Sequence, residues 1–489
     1  MLRRTHGEVA GDLVTTTPGA PLMFRPTVVQ TPAFITITIL VWRFACGLVR
    51  LVYRHPIAIL ATLSPVYLVI RYGWQAAAWP VGSLLIAFTA WGLTDRATFA
   101  RWIGWRLLAF WRLIWIYRPH WSFAMSGAGL TKTAKSVEYR PRLVRVKCGP
   151  VADTVTVKML KGQSFADWTA RADNLAHAFG ALGCRTAIVR AGLLRLTFPR
   201  RDPLRKPLPA LPIPKAVDLQ AVPVGLCEDG TPWTLKVHGT HILGAGATGA
   251  GKGSLIWSTV RGLLPAIGEG LVTLVGLDPK LMELSYGHEL FHRYAASPED
   301  CADLLEAVVS LMQDRAALYG GHQRSHTPTI EYPFVLVIVD ELAFLTAYQN
   351  DRDLKRRINA ALATLTTQGR AVGVGVMALL QDPRKDVITI RNLFPDKIAM
   401  RLDESEQVDM VLGEGARERG ALADLISPVP EIGAGVAYVR LETSPDPVRV
   451  RATYVSDADI RDMVAWLTDR RHDGDTLTIP RIETSGEAA

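Results

Sequence analysis

The stretch H-I-L-G-A-G-A-T-G-A-G-K-G-S, from His241 to Ser254, decides the fold of this 489-residue chain. A short apolar run leads into a glycine-dense turn, and a helix-forming segment begins near Lys252. This order of strand, loop and helix is what a phosphate-binding loop requires. Glycines let backbone N–H groups converge on an anion, and the helix N-terminus adds its positive dipole at the same point. The stretch therefore predicts nucleotide binding; a chance glycine-rich turn is the alternative.

The predicted phosphate site consists of nine consecutive residues: Gly246, Ala247, Thr248, Gly249, Ala250, Gly251, Lys252, Gly253 and Ser254. Lys252 supplies a point charge for the outer phosphates. In most such loops a hydroxyl follows the lysine and touches Mg²⁺, but here that position is Gly253. Ser254 comes one residue later, which turns its side chain by about 100° on a helix. We expect water rather than Ser254 to complete the Mg²⁺ shell.

A second candidate element is F-V-L-V-I-V-D-E, an apolar strand that ends in Asp340 and Glu341. Ligands bind at the carboxyl ends of buried parallel strands. Asp340 is expected to organise Mg²⁺, directly or through water, and Glu341 to orient and deprotonate the attacking water. Two ordinary acids that cap the next helix are the alternative. Gln381 ends another strand, where its amide is placed to sense the γ-phosphate.

Positive charge is concentrated in the first third of the chain. Residues 1–150 contain 18 Lys/Arg against 4 Asp/Glu, whereas the remainder contains 37 against 42. The net charge of +9 is therefore no argument for nucleic-acid binding by the phosphate-loop region. The five cysteines are widely scattered and odd in number, which favours reduced structural thiols in a cytoplasmic compartment.

Two apolar runs lie in the basic region, at 56–71 and 74–94. A membrane span takes about 17–25 apolar residues. The second run meets this length, and the first does so only if His55 and Arg71 snorkel at its ends. On that basis the runs predict a two-helix transmembrane hairpin with a short turn at 72–73. Arginines on both outer flanks place both termini in the cytoplasm. We expect a multi-pass protein of the cell membrane with a cytoplasmic ATPase domain; a buried soluble helix pair is the alternative. Residues 96–118, which interleave Trp with Arg, predict a helix along the headgroup zone, and nucleic-acid binding there is less favoured.

The fold class predicted from these patterns is α/β. We expect a P-loop (RecA-like) ATPase with a mostly parallel sheet, preceded by a small α/β domain and the transmembrane hairpin. The predicted parts are a flexible arm (1–32), a membrane region (33–121), a small α/β domain (140–202), a proline-rich linker (203–218), a large domain (219–467) and a disordered tail (468–489).

Several sequence words of the large domain are similar to those of the FtsK/SpoIIIE family of DNA-pumping ATPases. They are G-A-T-G-A-G-K-G (246–253), L-D-P-K-L-M-E-L (277–284), V-I-V-D-E-L-A (337–343), G-R-A-V-G-V (369–374) and L-Q-D-P…D-V-I-T (380–389). The Gly-Lys-Gly-Ser form most resembles the Tra proteins of actinobacterial conjugative plasmids and integrative elements. The resemblance implies ATP and Mg²⁺ as cofactors and a homohexameric ring that threads double-stranded DNA at the cell membrane.

The chain also departs from the family pattern. The family's Gln-Arg-Pro reads Gln381-Asp382-Pro383 here, which leaves the arginine that acts in trans open among Arg370, Arg384 and Arg391. A C-terminal winged helix has no room after Tyr454, so we do not expect sequence-specific reading of DNA.

The favoured function is a membrane-anchored, ATP-driven translocase of double-stranded DNA for conjugative transfer. A chromosome-segregation translocase of cell division and a protein-export ATPase of the type VII kind are the alternatives. A small-solute pump lacks its Leu-Ser-Gly-Gly signature, and a non-hydrolysing scaffold is opposed by Lys252, Asp340 and Glu341.

Overall fold

The computed structural model describes residues 10–14, 23–27, 34, 38, 41–42, 45–46, 64, 67, 69–134, 137–384 and 391–472. The chain divides into two units between Gly104 and Trp105. In the first unit, β1 (Ala10–Val14) and β2 (Met23–Thr27) pair antiparallel. The segment predicted as a flexible arm thus contains paired strands. The sequence did not reveal them, because neither five-residue segment shows the alternation of apolar and polar residues that is typical of a half-buried strand. Its other residues lie outside the described ranges.

Helix α1 (Trp74–Thr94) occupies the second apolar run. It follows Gly73, whose φ of 81° suits the turn predicted there. Within the described ranges, no helix combines the length and the apolar character needed to cross a membrane. The first predicted span lies almost wholly outside those ranges.

Two π-helical turns interrupt the helices after α1. In the first unit, α2 (Arg96–Phe99) runs into a π turn at Ala100–Gly104. In the second unit, α3 (Trp105–Arg112) and α4 (Arg118–Gly127) flank a π turn at Leu113–Tyr117. A π turn closes its hydrogen bonds over five residues instead of four. Helix faces counted at a constant 100° per residue therefore do not describe this Trp- and Arg-rich segment.

The small domain is built on an antiparallel sheet in the order β5–β6–β8–β7. Its strands, with a separate pair before them, are β3 (Lys132–Ala134), β4 (Val137–Tyr139), β5 (Arg142–Cys148), β6 (Ala152–Lys158), β7 (Arg185–Arg190) and β8 (Leu193–Pro199). Helices α5 (Phe165–Thr169) and α6 (Ala172–Ala178) join β6 to β7. The core also contains Tyr117 and Trp121, so the structure places residues 105–127 with this domain, and the predicted boundary at 121 falls inside its core.

A buried carboxylate joins these helices to the sheet. Asp153 is fully buried, accepts hydrogen bonds from the Tyr117 hydroxyl (2.8 Å) and Arg200 Nε (2.9 Å), and pairs with Arg112. Burial acts to raise the pKa of Asp153, but hydrogen bonds from Cys148, Tyr117 and Arg200 outweigh it and hold the pKa below its usual range.

The large domain contains a mixed sheet in the order β11–β10–β19–β18–β17–β12–β16–β15–β13–β14, with β9 paired to β19. These strands are β9 (Leu208–Pro209), β10 (Val222–Cys227), β11 (Pro232–Leu235), β12 (Ile242–Ala245), β13 (Val272–Leu277), β14 (Arg293–Ala295), β15 (Phe334–Val339), β16 (Val374–Leu380), β17 (Asp396–Ala399), β18 (Val436–Leu441) and β19 (Ser444–Tyr454). The six strands from β17 to β14 are parallel, whereas β18, β19, β10 and β11 extend the sheet antiparallel. The expectation of an α/β fold is confirmed, with a sheet that is more mixed than predicted.

Helices cover both faces of this sheet: α7 (Lys252–Gly268), α8 (Pro298–Tyr319), α9 (Leu342–Leu345), α10 (Arg352–Gln368), α11 (Ser405–Leu412), α12 (Pro430–Gly433) and α13 (Asp457–His472). Successive residues of β15, such as Val337 and Ile338, point into two separate hydrophobic cores. Helix α13 runs five residues past the predicted end of the domain, and the remainder of the predicted tail lies outside the described ranges.

Candidate functional site

The predicted phosphate loop follows the central strand β12, which lies between the parallel strands β16 and β17. Two hydrogen bonds fix the start of the loop to the chain at the carboxyl ends of these two neighbours. The Gly246 N–H donates to the Leu380 carbonyl (3.0 Å), and the Ala247 N–H donates to the Arg401 carbonyl (2.8 Å). The loop is thereby held at the carboxyl edge of the sheet, where ligands bind in such folds.

Two glycines of the loop adopt left-handed backbone conformations. Gly249 has φ 75° and Gly251 has φ 94° directly before α7. A Cβ on Gly251 would lie 2.3 Å from the backbone nitrogen of Gly435. Position 251 is therefore restricted to glycine both by its conformation and by the close approach of a second backbone segment.

The Lys252 ammonium lies across the loop. Its Nζ donates to the Gly246 carbonyl (2.8 Å) and, at longer range, to that of Ala247 (3.4 Å). Burial lowers the pKa of Lys252, and the carboxylates of Glu341 and Asp340 act against that effect. The predicted lysine and the predicted acid pair are thus brought together in one site.

Asp340 and Glu341 follow β15 as predicted, and both are buried. Burial raises the pKa of Asp340 to about 7, and the nearby carboxylates of Asp278, Glu283 and Glu341 act in the same direction. A carboxylate in such a place is stabilised by a cation, either an ammonium or a metal ion.

The Glu341 carboxylate is held at both of its oxygens. Oε2 lies 3.1 Å from Lys280 Nζ, and Oε1 accepts a hydrogen bond from the Gln381 backbone N–H (3.2 Å). Glu341 makes no side-chain capping bond to α9, so the helix-capping alternative does not describe it.

Gln381 reaches the phosphate loop from the end of β16. Its Oε1 accepts a hydrogen bond from the Thr248 hydroxyl at 3.3 Å. The structure therefore brings Gln381 to the loop as expected. Ser254 is half-buried in the first turn of α7, and its carbonyl accepts a hydrogen bond from the Ser258 hydroxyl.

Glu283 is a site residue to which the sequence patterns assigned no role. Asp278, which is fully buried, accepts hydrogen bonds from the N–H groups of Leu284 (3.0 Å) and Ser285 (3.2 Å) and so shapes the turn after β13. That turn directs Glu283 toward α7, where its Oε1 accepts a hydrogen bond from Trp257 Nε1 (3.0 Å). The sequence feature that could have pointed to Glu283 is the stretch L-D-P-K-L-M-E-L, in which the glutamate lies six residues after the apolar strand ends.

Arg401 is a second residue that the sequence patterns did not identify. Its Nη2 donates to the Thr248 carbonyl at 2.7 Å, and its Nη1 pairs with Asp403 at 2.7 Å. It lies just after β17, so only the sheet order, which places β17 beside β12, could have shown that it contacts the loop.

Three arginines were candidates to act on the nucleotide of a neighbouring subunit. Each of them is bonded to groups away from the phosphate loop of its own chain. Arg370 donates to the Gly239 carbonyl (3.0 Å) and pairs with Glu442 (2.9 Å), at the amino end of β12. Arg384 pairs with Asp382, and Arg391 donates to the Met410 carbonyl. None of these contacts joins them to the phosphate loop of the same chain.

The acidic residues suit a magnesium ion that is shared with a nucleotide. Within the described part of the chain, no three His, Cys, Asp or Glu side chains converge to hold a metal by themselves. Mg²⁺ usually binds one or two carboxylates and takes its other ligands from phosphates and water. Asp340, buried beside Lys252, fits that donor set.

Two protein-family models match successive parts of the chain. Residues 213–328, which include the phosphate loop and the turn that carries Glu283, match the FtsK/SpoIIIE family. This part of the chain is therefore similar to the FtsK/SpoIIIE family. Residues 108–199, from within α3 to the end of β8, match the actinomycete conjugal transfer protein N-terminal domain. The resemblance inferred from the sequence words is confirmed, although Asp340 and Glu341 lie beyond the matched range.

The related proteins include DNA translocases and a conjugal transfer protein. The DNA translocase FtsK of Staphylococcus aureus is 24% identical over 375 residues, which cover 71% of this chain and 45% of that protein. The transfer protein TraSA of Streptomyces ambofaciens is 28% identical over 319 residues, which cover 60% of this chain and 75% of that protein. The monomer structure of the pCW3 conjugation coupling protein TcpA with ATPγS is 19% identical, with a TM-score of 0.47, and the match covers 71% of this chain and 98% of that one. The chain spans less than half the length of the FtsK relatives.

Proposed function

We propose that this protein is a membrane-anchored, ATP-driven translocase of double-stranded DNA that serves conjugative transfer. The observation that carries the proposal is the succession of two domains, a conjugal-transfer N-terminal domain and an FtsK/SpoIIIE domain with an assembled phosphate site. The TraSA relative, named a transfer protein, supports the conjugative assignment over chromosome segregation.

ATP is the nucleotide assigned to residues 246–254. The backbone N–H groups of the loop and the start of α7 bind its phosphates, and Lys252 exchanges its contacts with the loop carbonyls for the outer phosphates. Asp340 would hold Mg²⁺, directly or through water, and the ion neutralises charge on the phosphates when bound.

Glu341 is assigned the role of orienting and deprotonating the attacking water. Lys280 and the Gln381 N–H fix its carboxylate, which keeps its oxygens in one orientation for accepting a proton from that water. The Gln381 side chain links Thr248 of the phosphate loop to the end of β16, so a phosphate-dependent shift of Thr248 is transmitted to that strand.

Membrane anchorage is supported by the surface of α1. Its large apolar side chains are exposed, among them Trp79 (82%), Ile86 (71%) and Leu85 (62%). In a cysteine-free background, a cysteine at Gly73 should react with an impermeant thiol reagent on intact cells, whereas one restored at Cys46 should not. Labelling at 46 alone would contradict the proposed topology.

A homohexamer is the proposed assembly, because a ring can enclose a duplex. The Lys280, Arg401 and Lys252 cations all lie on the protein's own phosphate site. Arg384 is exposed, and a neighbouring subunit could reach it in exchange for its ion pair with Asp382. Light scattering of the full chain with ATP and duplex DNA should give the mass of six subunits.

The decisive experiment measures the ATPase activity of the full chain in detergent with and without duplex DNA. Duplex DNA should stimulate the wild type. Lys252→Ala should abolish ATP binding, whereas Glu341→Gln should retain binding and hydrolyse ATP orders of magnitude more slowly, since only the water-orienting group is lost. Wild-type turnover by Glu341→Gln would show that Glu341 is not the base, and turnover indifferent to DNA would contradict the proposed substrate.

A further inference from the structure

One face of the small-domain sheet is covered by the core of that domain, and the other is open. Along β6, Val155 and Val157 point into the core, so Thr154 and Thr156 point to the open face. Residues paired across antiparallel strands point to the same face. The registers therefore identify the paired side chains on this open face; Val144 and Val189 lie in bulges and have no cross-strand partner.

Three rows of side chains cross the open face. The middle row is Arg145, Thr156, Arg195 and Ala187, from β5 across to β7. The rows on either side are Lys147, Thr154, Thr197 and Arg185, and Arg142, Lys158, Leu193 and Arg190. Seven of these twelve positions carry Lys or Arg, and none carries Asp or Glu.

Most of these charges have no partner in the domain. Among the residues that the structure describes, no ion pair or hydrogen bond involves the side chains of the exposed residues Arg142, Arg145, Lys147, Lys158, Arg190 and Arg195. The seventh, Arg185, pairs with Glu228 of the FtsK/SpoIIIE domain. Mutual repulsion of six unpaired cations destabilises the isolated domain, which indicates a surface that is neutralised by an anionic partner.

We propose that this open face binds the sugar-phosphate backbone of double-stranded DNA. The inference rests on the proposed function, which supplies duplex DNA as the substrate. Four strands about 4.8 Å apart, with a rise of about 3.4 Å per residue, make the three rows a face of about 14 by 14 Å. This face matches a length of duplex that carries on the order of ten phosphates. Arginine and lysine neutralise phosphates, and threonine hydroxyls donate hydrogen bonds to them.

The composition of the face favours a duplex over other polyanions. Sheet platforms for single strands stack bases on aromatic side chains, and the three rows contain no aromatic residue. Membrane surfaces are bound by apolar side chains together with cations. The three rows contain one large apolar residue, Leu193, which is half-buried, and the two bulges add the exposed side chains of Val144 and Val189. The ion pair of Arg185 with Glu228 also sets one corner of the face against the FtsK/SpoIIIE domain.

The test compares two double variants of the full chain in detergent, with equal loss of charge. Arg145→Ala/Arg195→Ala removes two cations of the middle row. Lys161→Ala/Arg171→Ala is the control, because both residues are exposed in the same domain but lie on its loop and helix side. Binding of a fluorescent duplex is measured by anisotropy over a salt series, with two unrelated sequences.

Each lost phosphate contact lowers the slope of log Kobs against log salt by about 0.9. The Arg145→Ala/Arg195→Ala slope should therefore fall by about 2 for both sequences, with basal ATPase activity unchanged, and the control slope should equal that of the wild type. Equal slopes for all three proteins would overturn the inference and leave the proposed function standing. Loss of the variant's retention on phosphatidylserine-containing micelles, with DNA binding intact, would reassign the face to lipid. A wild type that binds no duplex would overturn both proposals.

Discussion

The carboxylate of Glu283 lies where a side chain on Gly253 would begin. A Cβ built on Gly253 would be 2.0 Å from Glu283 Oε1 and 2.6 Å from its Cδ. Position 253 is the one that carries a hydroxyl in most phosphate loops. A side chain there would occupy the space that the Glu283 carboxylate fills, so the absence of the hydroxyl and the presence of the acid go together. A glycine at 253 leaves room for an acidic side chain that comes from a different strand–loop segment.

Replacing this glycine should be costly despite its helical position, because the Glu283 carboxylate can make room only by giving up its hydrogen bond from Trp257 Nε1. Helix propensity alone favours Ala over Gly by about 1 kcal/mol, whereas overpacking costs about 1–3 kcal/mol. Gly253→Ala should lower the free energy of unfolding, and Gly253→Ala/Glu283→Ala should recover it, as measured by denaturant unfolding. Gly82→Ala, in α1 with open space around its Cβ position, is the control and should not destabilise. Additive single effects in the double-mutant cycle would contradict the packing argument.

The same contact changes what a restored hydroxyl can do. A serine at 253 meets Glu283 before it can reach a metal ion, so Gly253→Ser alone should not lower the half-saturating Mg²⁺ concentration of the ATPase reaction. Gly253→Ser/Glu283→Ala should lower it relative to Glu283→Ala, because the hydroxyl can then contribute one ligand. Magnesium titrations of ATPase activity measure this, and an improvement from Gly253→Ser alone would show that Glu283 moves aside.

Arg401 and Arg370 offer a contrast between a loop contact and a structural contact. Arg401 holds the Thr248 carbonyl, and a hydrogen bond from a charged donor contributes about 1.5 kcal/mol or more. Arg401→Ala should therefore raise the Kd for ATP about tenfold. Arg370→Ala breaks its contacts to Gly239 and Glu442 and should lower thermal stability with the Kd unchanged. Calorimetric titration with ATP measures the Kd of each variant, and thermal unfolding measures its stability. A raised Kd for Arg370→Ala with an unchanged Kd for Arg401→Ala would contradict the prediction.

The core of the site could be predicted from sequence because its residues are close together along the chain or end a strand. The phosphate loop and the acid pair both follow short apolar strands, and parallel strands deliver their carboxyl ends to one edge. Gln381 was predicted for the same reason. These signals are local and need no knowledge of the strand order.

Glu283 and Arg401 could not be assigned in this way, because their contacts depend on strand order and on the shape of one turn. Nothing local in the sequence shows that β17 lies beside β12, or that Asp278 folds the following turn toward α7. The extent of the small domain was also hidden, since π turns disrupt the periodicity of the helices that supply Tyr117 and Trp121 to its core.

Asp153 should be among the most sensitive positions of the small domain. Removing one partner of a buried ion pair costs about 3–5 kcal/mol, since the remaining charges stay buried. Asp153→Ala should therefore lower the free energy of unfolding by up to about that amount, because Arg112 and the Tyr117 hydroxyl lose their acceptor. Arg200 keeps the Phe179 and Gly180 carbonyls as acceptors. Asp173→Ala, at an exposed position of α6, should change it by no more than about 0.5 kcal/mol. Equal effects in denaturant unfolding would show that the buried pairs contribute little.

Two buried histidines should each reduce the stability of the large domain in mild acid. Asp340, whose pKa is raised to about 7, acts in the opposite direction, because its folded form gains a proton between pH 7 and 4. Burial lowers the pKa values of His241 and His326 to about 4, below the ordinary value of 6.5. At these two histidines the unfolded state binds more protons than the folded state between pH 6.5 and 4, so their contribution to stability is full above pH 6.5 and is lost as the pH drops toward 4. Each histidine should contribute roughly 3 kcal/mol to that loss.

His241 provides the sharper test because its tautomer is fixed by the fold. Its Nδ1 accepts a hydrogen bond from the Val376 N–H at 3.1 Å, so the neutral ring carries its proton on Nε2. His241→Gln retains an acceptor for that N–H but cannot be protonated, and the decline in melting temperature between pH 6.5 and 4 should become shallower. His288→Gln, at an exposed site, should leave the pH profile of the wild type unchanged. A His241→Gln profile that is parallel to the wild type would mean that acid unfolding is driven by other groups.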